Sequence, residues 1–169
     1  MKLKFLITIL ITFISCKNDK DPLLKKNNTK LLSSFEKVES SYSNIDFVNE
    51  ITPSLDNKAN LFDYDYFYNG SGVGIADFNN DGLKDIILSA NQTENKLYIN
   101  KGDLIFEDIT LDANINENKK WSSGVAIADV NNDGWMDIYI SQGGPSSVND
   151  RKNLLYINQK DLTFKEQAQ

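Results

Sequence analysis

The chain has 169 residues, 40% of them hydrophobic, which is enough for one domain with an apolar core and excludes a wholly disordered chain. Its 24 acidic residues against 18 basic give a formal charge of -6, an electrostatic surface that repels phosphate backbones and attracts cations, so no nucleic-acid partner is expected. Histidine is absent and Cys16 is the single cysteine, which excludes an intramolecular disulfide, a thiolate or imidazole metal centre and a Cys/His catalytic pair; any metal site must be built from oxygen.

At the N-terminus Lys2 and Lys4 precede an apolar run from Phe5 to Ile14. The run is shorter than the roughly 20 residues that span a bilayer, so residues 1–15 read as a signal peptide. It ends in Phe13-Ile14-Ser15-Cys16, which resembles the bacterial lipobox, where the cysteine is acylated and becomes the first residue of the mature protein. The expectation is a lipoprotein held at the membrane through Cys16, in the outer membrane or on the surface of a bacterium, since two acyl chains anchor stably. Residues 16–44, rich in Lys, Asn, Ser and Asp, read as a flexible tether.

The remainder, 45–169, is organised by an internal repeat. Ser71-Gly-Val-Gly-Ile-Ala-Asp-Phe-Asn-Asn-Asp-Gly-Leu-Lys-Asp-Ile-Ile-Leu-Ser89 aligns with the stretch Ser123–Ser141 at 13 of 19 positions. The pair Leu-Tyr-Ile-Asn at 97–100 and 155–158 continues it, with an insertion in the Gly- and Pro-containing stretch 143–152. Two repeats, about 69–110 and 121–166, each read as four short strands of period two, at 72–78, 84–89, 95–100 and 104–109 in the first. In the leading strand of each repeat Val73 and Ile75, or Val125 and Ile127, face one way, and Gly74 and Ala76, or Ala126 and Ala128, face the other. A strand with one face of small residues suits the crowded inner position of a propeller blade. The segment Asp46–Thr52 is similar to Phe106–Thr110 and reads as a further outer strand.

Between the first two strands of each repeat stands D-x-N-x-D-G-x-x-D: Asp77, Asn79, Asp81, Gly82 and Asp85, then Asp129, Asn131, Asp133, Gly134 and Asp137. Calcium takes about six to eight oxygens at roughly 2.3–2.6 Å, and alternate positions of a tight loop converge on one point. Side-chain oxygens at positions 1, 3, 5 and 9 and the backbone carbonyl of Leu83 or Trp135 at position 7 would share the ion. Gly82 and Gly134 fall where the loop needs a positive φ. Without an ion the carboxylates repel, at about 4 kcal/mol per pair 4 Å apart for an effective dielectric of 20. An EF-hand does not fit, because its position 12 falls on Leu88 and Ile140 and the flanks read as strands.

The pattern G-V-x-I-A-D-x-N-N-D-G-x-x-D-I followed by L-Y-I-N is similar to the FG-GAP/VCBS repeats of integrin α-subunit propellers and their bacterial relatives. Tyr66–Val73 further resembles the cartilage acidic protein (ASPIC/UnbV-containing) group. The resemblance implies a calcium-stabilised β-propeller, here incomplete, with two four-stranded antiparallel blades, an N-terminal fragment of the full architecture. The function expected is a non-enzymatic binding or adhesion module for an extracellular protein or glycan; the alternative is a propeller scaffold for an enzyme whose catalytic part lies beyond residue 169. No Walker loop, Rossmann fingerprint or nucleophile elbow is present. The aromatics Tyr64, Tyr66, Phe67 and Tyr68 read as an alternating strand packed between sheets; Trp135, on a turn, is the better candidate for an exposed contact, though a packing role is favoured for it too.

Overall fold

The computed structural model describes residues 35–115, 120–145 and 151–168. The chain divides into two units, Met1–Glu36 and Lys37–Gln169. The signal peptide, Cys16 and most of the tether lie outside the described residues.

The described residues of Lys37–Gln169 form one helical turn, α1 (Ser40–Ser43), followed by eight strands. The first sheet is β1 (Val73–Ala76), β2 (Asp85–Leu88), β3 (Lys96–Asn100) and β4 (Phe106–Asp108), paired in chain order and antiparallel throughout. The second sheet, β5 (Ser122–Ala128), β6 (Asp137–Gln142), β7 (Leu154–Asn158) and β8 (Phe164–Glu166), repeats the same meander. Register is equivalent as well: Ile75 pairs with Ile86 and Ile86 with Tyr98, as Ile127 pairs with Ile138 and Ile138 with Tyr156. The period-two pattern of each strand dictates this, because a slip of one residue would turn every Ile and Val to the opposite face.

The two sheets meet face to face. Ile138, Ile140, Leu154 and Tyr156 of the second sheet share one core with Ile87, Leu97 and Ile99 of the first, and Val125 and Ile127 pack against it. The small residues of β1 permit the approach: a Cβ on Gly74 would lie 2.6 Å from Ile127 Cδ1 and 2.8 Å from Val125 Cγ1. The connection between the sheets closes the outer rim, with Ile109, Ala113 and Ile115 buried in the same core and Ala113 O accepting from Phe164 N at 2.9 Å. Polar bonds stitch the inner side. Ser71 Oγ donates to Ser122 O at 3.2 Å, Ser89 Oγ to Ser123 O at 3.2 Å, and Ser122 N to Ala90 O at 2.9 Å.

Three expectations change. The packed region begins before residue 45: Ser43 is buried, Tyr42 Oη donates to Asp103 O at 3.1 Å, and Val38, Ser43 and Ile45 line a groove with Ile86, Leu104 and Phe106. Asp46–Thr52 forms no strand, since its polar side chains are spent on tertiary bonds instead, Asp46 accepting from Tyr98 Oη at 3.1 Å and Asn49 pairing with Asn91. Residues 61–69 are consecutive turns, not an alternating strand. Phe67 is buried there against Trp121, ring centroids 5.3 Å apart, while Tyr66 and Tyr68 remain exposed.

Candidate metal centres

The two acidic loops are superposable in their bonding. Asp77 at the end of β1 accepts Asp81 N on Oδ1 at 3.1 Å and Gly82 N on Oδ2 at 2.8 Å, and Asp129 does the same for Asp133 N at 2.9 Å and Gly134 N at 2.8 Å. Asn79 accepts Asp81 N on Oδ1 and donates through Nδ2 to Asp81 Oδ2; Asn131 does both to Asp133. The remaining oxygen of Asp81 or Asp133 takes the N–H of Leu83 or Trp135. The loop is thus coiled by its own short side chains in successive Asx turns. Gly82 and Gly134 sit at φ +89° and +86°, where any side chain would be strained.

Position 9 differs from the rest of the loop. Asp85 and Asp137 are 0% and 1% exposed, and each spends both oxygens on backbone N–H groups. Asp85 takes Phe78 N at 2.8 Å and Asn100 N at 2.9 Å; Asp137 takes Val130 N at 2.9 Å and Asn158 N at 2.8 Å. Each therefore ties the loop to the edge of the third strand. Burial pushes the Asp85 carboxyl above the ordinary carboxylate value; the N–H groups of Asn100 and Phe78 pull it back, and the charges of Asp81 and Asp77 push it up again.

This last repulsion is the observation that tests whether the residues suit a cation. Three carboxylates of one loop are near enough that two of them raise the third, and their donor atoms are all hard oxygens, so a hard divalent ion matches both the charge and the chemistry. The cage is not assembled in advance. Among the described residues no group of three or more acidic, histidine or cysteine side chains converges as a ready site, because Asn79 and Asp81 point into loop bonds.

The loops differ in one respect that repeat matching does not show. Lys160 Nζ lies 3.3 Å from Asp133 Oδ2. Burial would raise the Asp133 carboxyl, but the Trp135 N–H, Asn131 and Lys160 together hold it below the ordinary value. The first repeat has Gly102, at φ +93°, where the second has Lys160 at φ +71°. No ion pair reaches Asp77 or Asp81 among the described residues. The sequence signal for this asymmetry was a lysine standing where the matching repeat has a turn glycine.

Trp135 is only partly exposed, and Leu83 is 38% exposed. The more open aromatic surface lies elsewhere. Phe62 is 91% exposed, beside a shallow pocket that it lines with Pro53, Leu55, Leu61 and Tyr68.

Residues 77–140, from the first aspartate of the first loop into the strand that follows the second, match the FG-GAP-like repeat. A stretch of 92 residues is 33% identical to cartilage acidic protein 1 of Xenopus tropicalis. It covers 54% of this chain and 14% of that protein, so the chain spans a small part of the relative's length.

Proposed function

Because the chain is an FG-GAP repeat protein related to the cartilage acidic protein family, we propose that it is a calcium-stabilised extracellular binding module. The observation that carries the reading is the pair of identically bonded loops, each gathering three aspartates and an asparagine on one tight turn. In each loop the first, third, fifth and ninth side chains, with the carbonyl of Leu83 or Trp135, would hold the ion. Calcium would supply the positive charge that the loops lack, fixing the β1–β2 and β5–β6 hairpins. The role is structural and non-enzymatic: the carboxylates are committed to the loops, and recognition of a protein or glycan falls to exposed surface such as Phe62, Tyr66 and Tyr68.

Calorimetric titration of the full chain with calcium is expected to show about two ions bound, with affinities near the roughly 10⁻⁴ to 10⁻³ M of extracellular modules. At ten times the dissociation constant each ion adds about 1.4 kcal/mol to stability, seen as a rise in melting temperature. The two sites are expected to be unequal, because Lys160 competes for Asp133. Lys160→Gly should tighten the weaker site a few-fold and leave the other unchanged. Absence of calcium-dependent heat and of any melting shift refutes the site assignment.

The lipobox-like ending at Cys16 supports an acyl anchor on the outer membrane or cell surface. Among the described residues no helix is long and apolar enough to cross a membrane. Cys16→Ser is expected to move the protein from the membrane to the soluble fraction or to block its processing. A wild-type protein that is already soluble and starts at another residue defeats the anchor.

A further inference from the structure

Three aspartyl or asparaginyl residues of the sequence are followed by glycine, in the pairs Asn69–Gly70, Asp81–Gly82 and Asp133–Gly134. Such a pair is open to a reaction that other pairs resist, because glycine has no Cβ to shield its backbone nitrogen from the side-chain carbonyl carbon of the residue before it. Exposure does not separate the three. Asn69, Asp81, Gly82 and Gly134 are exposed, and Gly70 and Asp133 are intermediate. Hydrogen bonding does separate them.

In the two acidic loops both reacting groups are held. Gly82 N donates to Asp77 Oδ2 and Gly134 N to Asp129 Oδ2, each at 2.8 Å, so each glycine nitrogen is committed to a different carboxylate. The side chains are fixed as well: Asp81 accepts from Leu83 N and Asn79 Nδ2, both at 2.8 Å, and Asp133 from Trp135 N at 3.0 Å and Asn131 Nδ2 at 3.1 Å. At Asn69 neither group is held. Among the described residues its side-chain amide and Gly70 N take part in no hydrogen bond, and a Cβ built on Gly70, at φ +76°, would meet nothing within 4 Å. The backbone N–H of Asn69 closes the preceding turn on Tyr66 O at 3.1 Å, a bond that leaves the side chain able to rotate.

We propose that Asn69 is a site of spontaneous covalent modification in the folded protein, converted through a succinimide to isoaspartate and aspartate, and that the isoaspartyl form loosens the bonds around Gly70. Gly70 N attacks Asn69 Cγ. The new C–N bond replaces the bond to the amide nitrogen, which leaves as ammonia with the proton from Gly70. Water then opens the ring at either carbonyl, and no oxidant or further reactant is needed. Opening at the backbone carbonyl carries the main chain through the side-chain methylene and lengthens it by one carbon. Either product adds a carboxylate next to the exposed Tyr68. The longer backbone bears on a buried network: Gly70 O accepts from Asn91 Nδ2 at 3.0 Å, and the same Nδ2 donates to Ser122 O at 3.0 Å. Asn91 is 1% exposed, so a bond lost there is not replaced by one to water. The chemistry at Asn69 proceeds with or without a cation in the loops.

The test is ageing of the full chain at mildly alkaline pH with a calcium chelator present, once folded and once in guanidinium chloride, read by peptide mass mapping and by methylation with a protein isoaspartate methyltransferase. In guanidinium all three pairs are expected to react. Folding should leave residue 69 close to its unfolded rate but slow Asp81 and Asp133 by about tenfold or more, since their loop bonds must open first. Asn69→Gln should remove most of the methylation of the folded protein and leave its melting temperature unchanged. The aged, isoaspartyl-containing wild type should melt roughly 3 °C or more below the fresh protein, whereas Asn69→Asp, with the same charge on an unextended backbone, should melt like it. Protection of residue 69 by folding as strong as that of Asp81 and Asp133, or an Asn69→Gln protein methylated as fast as wild type, would overturn the site. An aged protein that melts with Asn69→Asp would overturn the link to Gly70 and Asn91.

Discussion

In calcium-free buffer Asp85→Ala is expected to lower the melting temperature by roughly 10 °C or more, whereas Asp81→Ala melts within about 2 °C of wild type. The two residues belong to one loop and carry the same charge, and burial separates them. Removing the Asp85 carboxylate leaves Phe78 N and Asn100 N without acceptors, the first of them buried. Each such loss costs about 1–3 kcal/mol, so the pair comes to about 2–6 kcal/mol, against a total stability of about 5–15 kcal/mol for an ordinary domain. The N–H of Leu83, which loses its acceptor when Asp81 is truncated, sits in an exposed turn that water reaches. Adding calcium reverses the order of sensitivity: Asp81→Ala is expected to lose the calcium-induced rise in melting temperature. Thermal melts followed by circular dichroism, with and without calcium, read both arms. An Asp85→Ala protein that melts like wild type without calcium would show that the position-9 carboxylate is not the fastening of the hairpin.

The same carboxylate sets a pH dependence whose sign follows from the direction of its shift. Burial raises Asp85 above its unfolded value, so its ionisation opposes the fold. Its contribution is most favourable below the unfolded value and is lost as pH rises through the folded one. Asp108 works in the other direction. Burial would raise it, but bonds from Lys96, at 2.8 Å, and Thr110 outweigh that and hold it down. The stability it adds is present above the unfolded value and lost as pH falls through the folded one.

Most of the sheet architecture was legible because the repeat supplies two independent copies of each strand, and a pattern that survives in both resists local ambiguity. The loops were legible for the same reason. Their chemistry was read less completely: the aspartate at position 9 looks in sequence only like a fourth side-chain ligand, and it is also the buried acceptor for two backbone N–H groups, which only the placement of Asn100 and Asn158 reveals. The single-copy segments were misread. Asp46–Thr52 has the composition of a strand but no free edge assigned to it by pattern; its side chains bond to Tyr98 and Asn91, and the backbone of Thr52 to the Gln92 side chain. The aromatic run at 64–68 alternates in type, yet Trp121, distant in sequence, draws Phe67 and Tyr64 into a turn-built cluster. Which of two equivalent faces is covered lies beyond any period-two pattern, because Val73 and Val125 are the same letter in the same register.

That difference gives the last expectation its sharpest form. Gly72→Ala is expected to destabilise the domain by about 2 kcal/mol, and Gly124→Ala, the same substitution at the matching position of the other repeat, by less than about 0.5 kcal/mol. A Cβ on Gly72 would lie 2.6 Å from Ser123 O, 2.9 Å from Val125 N and 3.1 Å from Gly124 C. All three are backbone atoms of the facing sheet, with no rotamer to change, so relief requires the two sheets to separate and to loosen the Ser71 and Ser89 stitches. A Cβ on Gly124 meets only Ser141 Oγ at 3.0 Å, the end of a side chain that can rotate. The loss of backbone freedom in the unfolded chain even favours alanine there, by some tenths of a kcal/mol. With a urea slope of about 1–3 kcal/mol per molar, the first substitution should lower the midpoint by roughly 1 M and the second should leave it in place. Equal midpoint shifts for both would mean that the sheets do not meet as described.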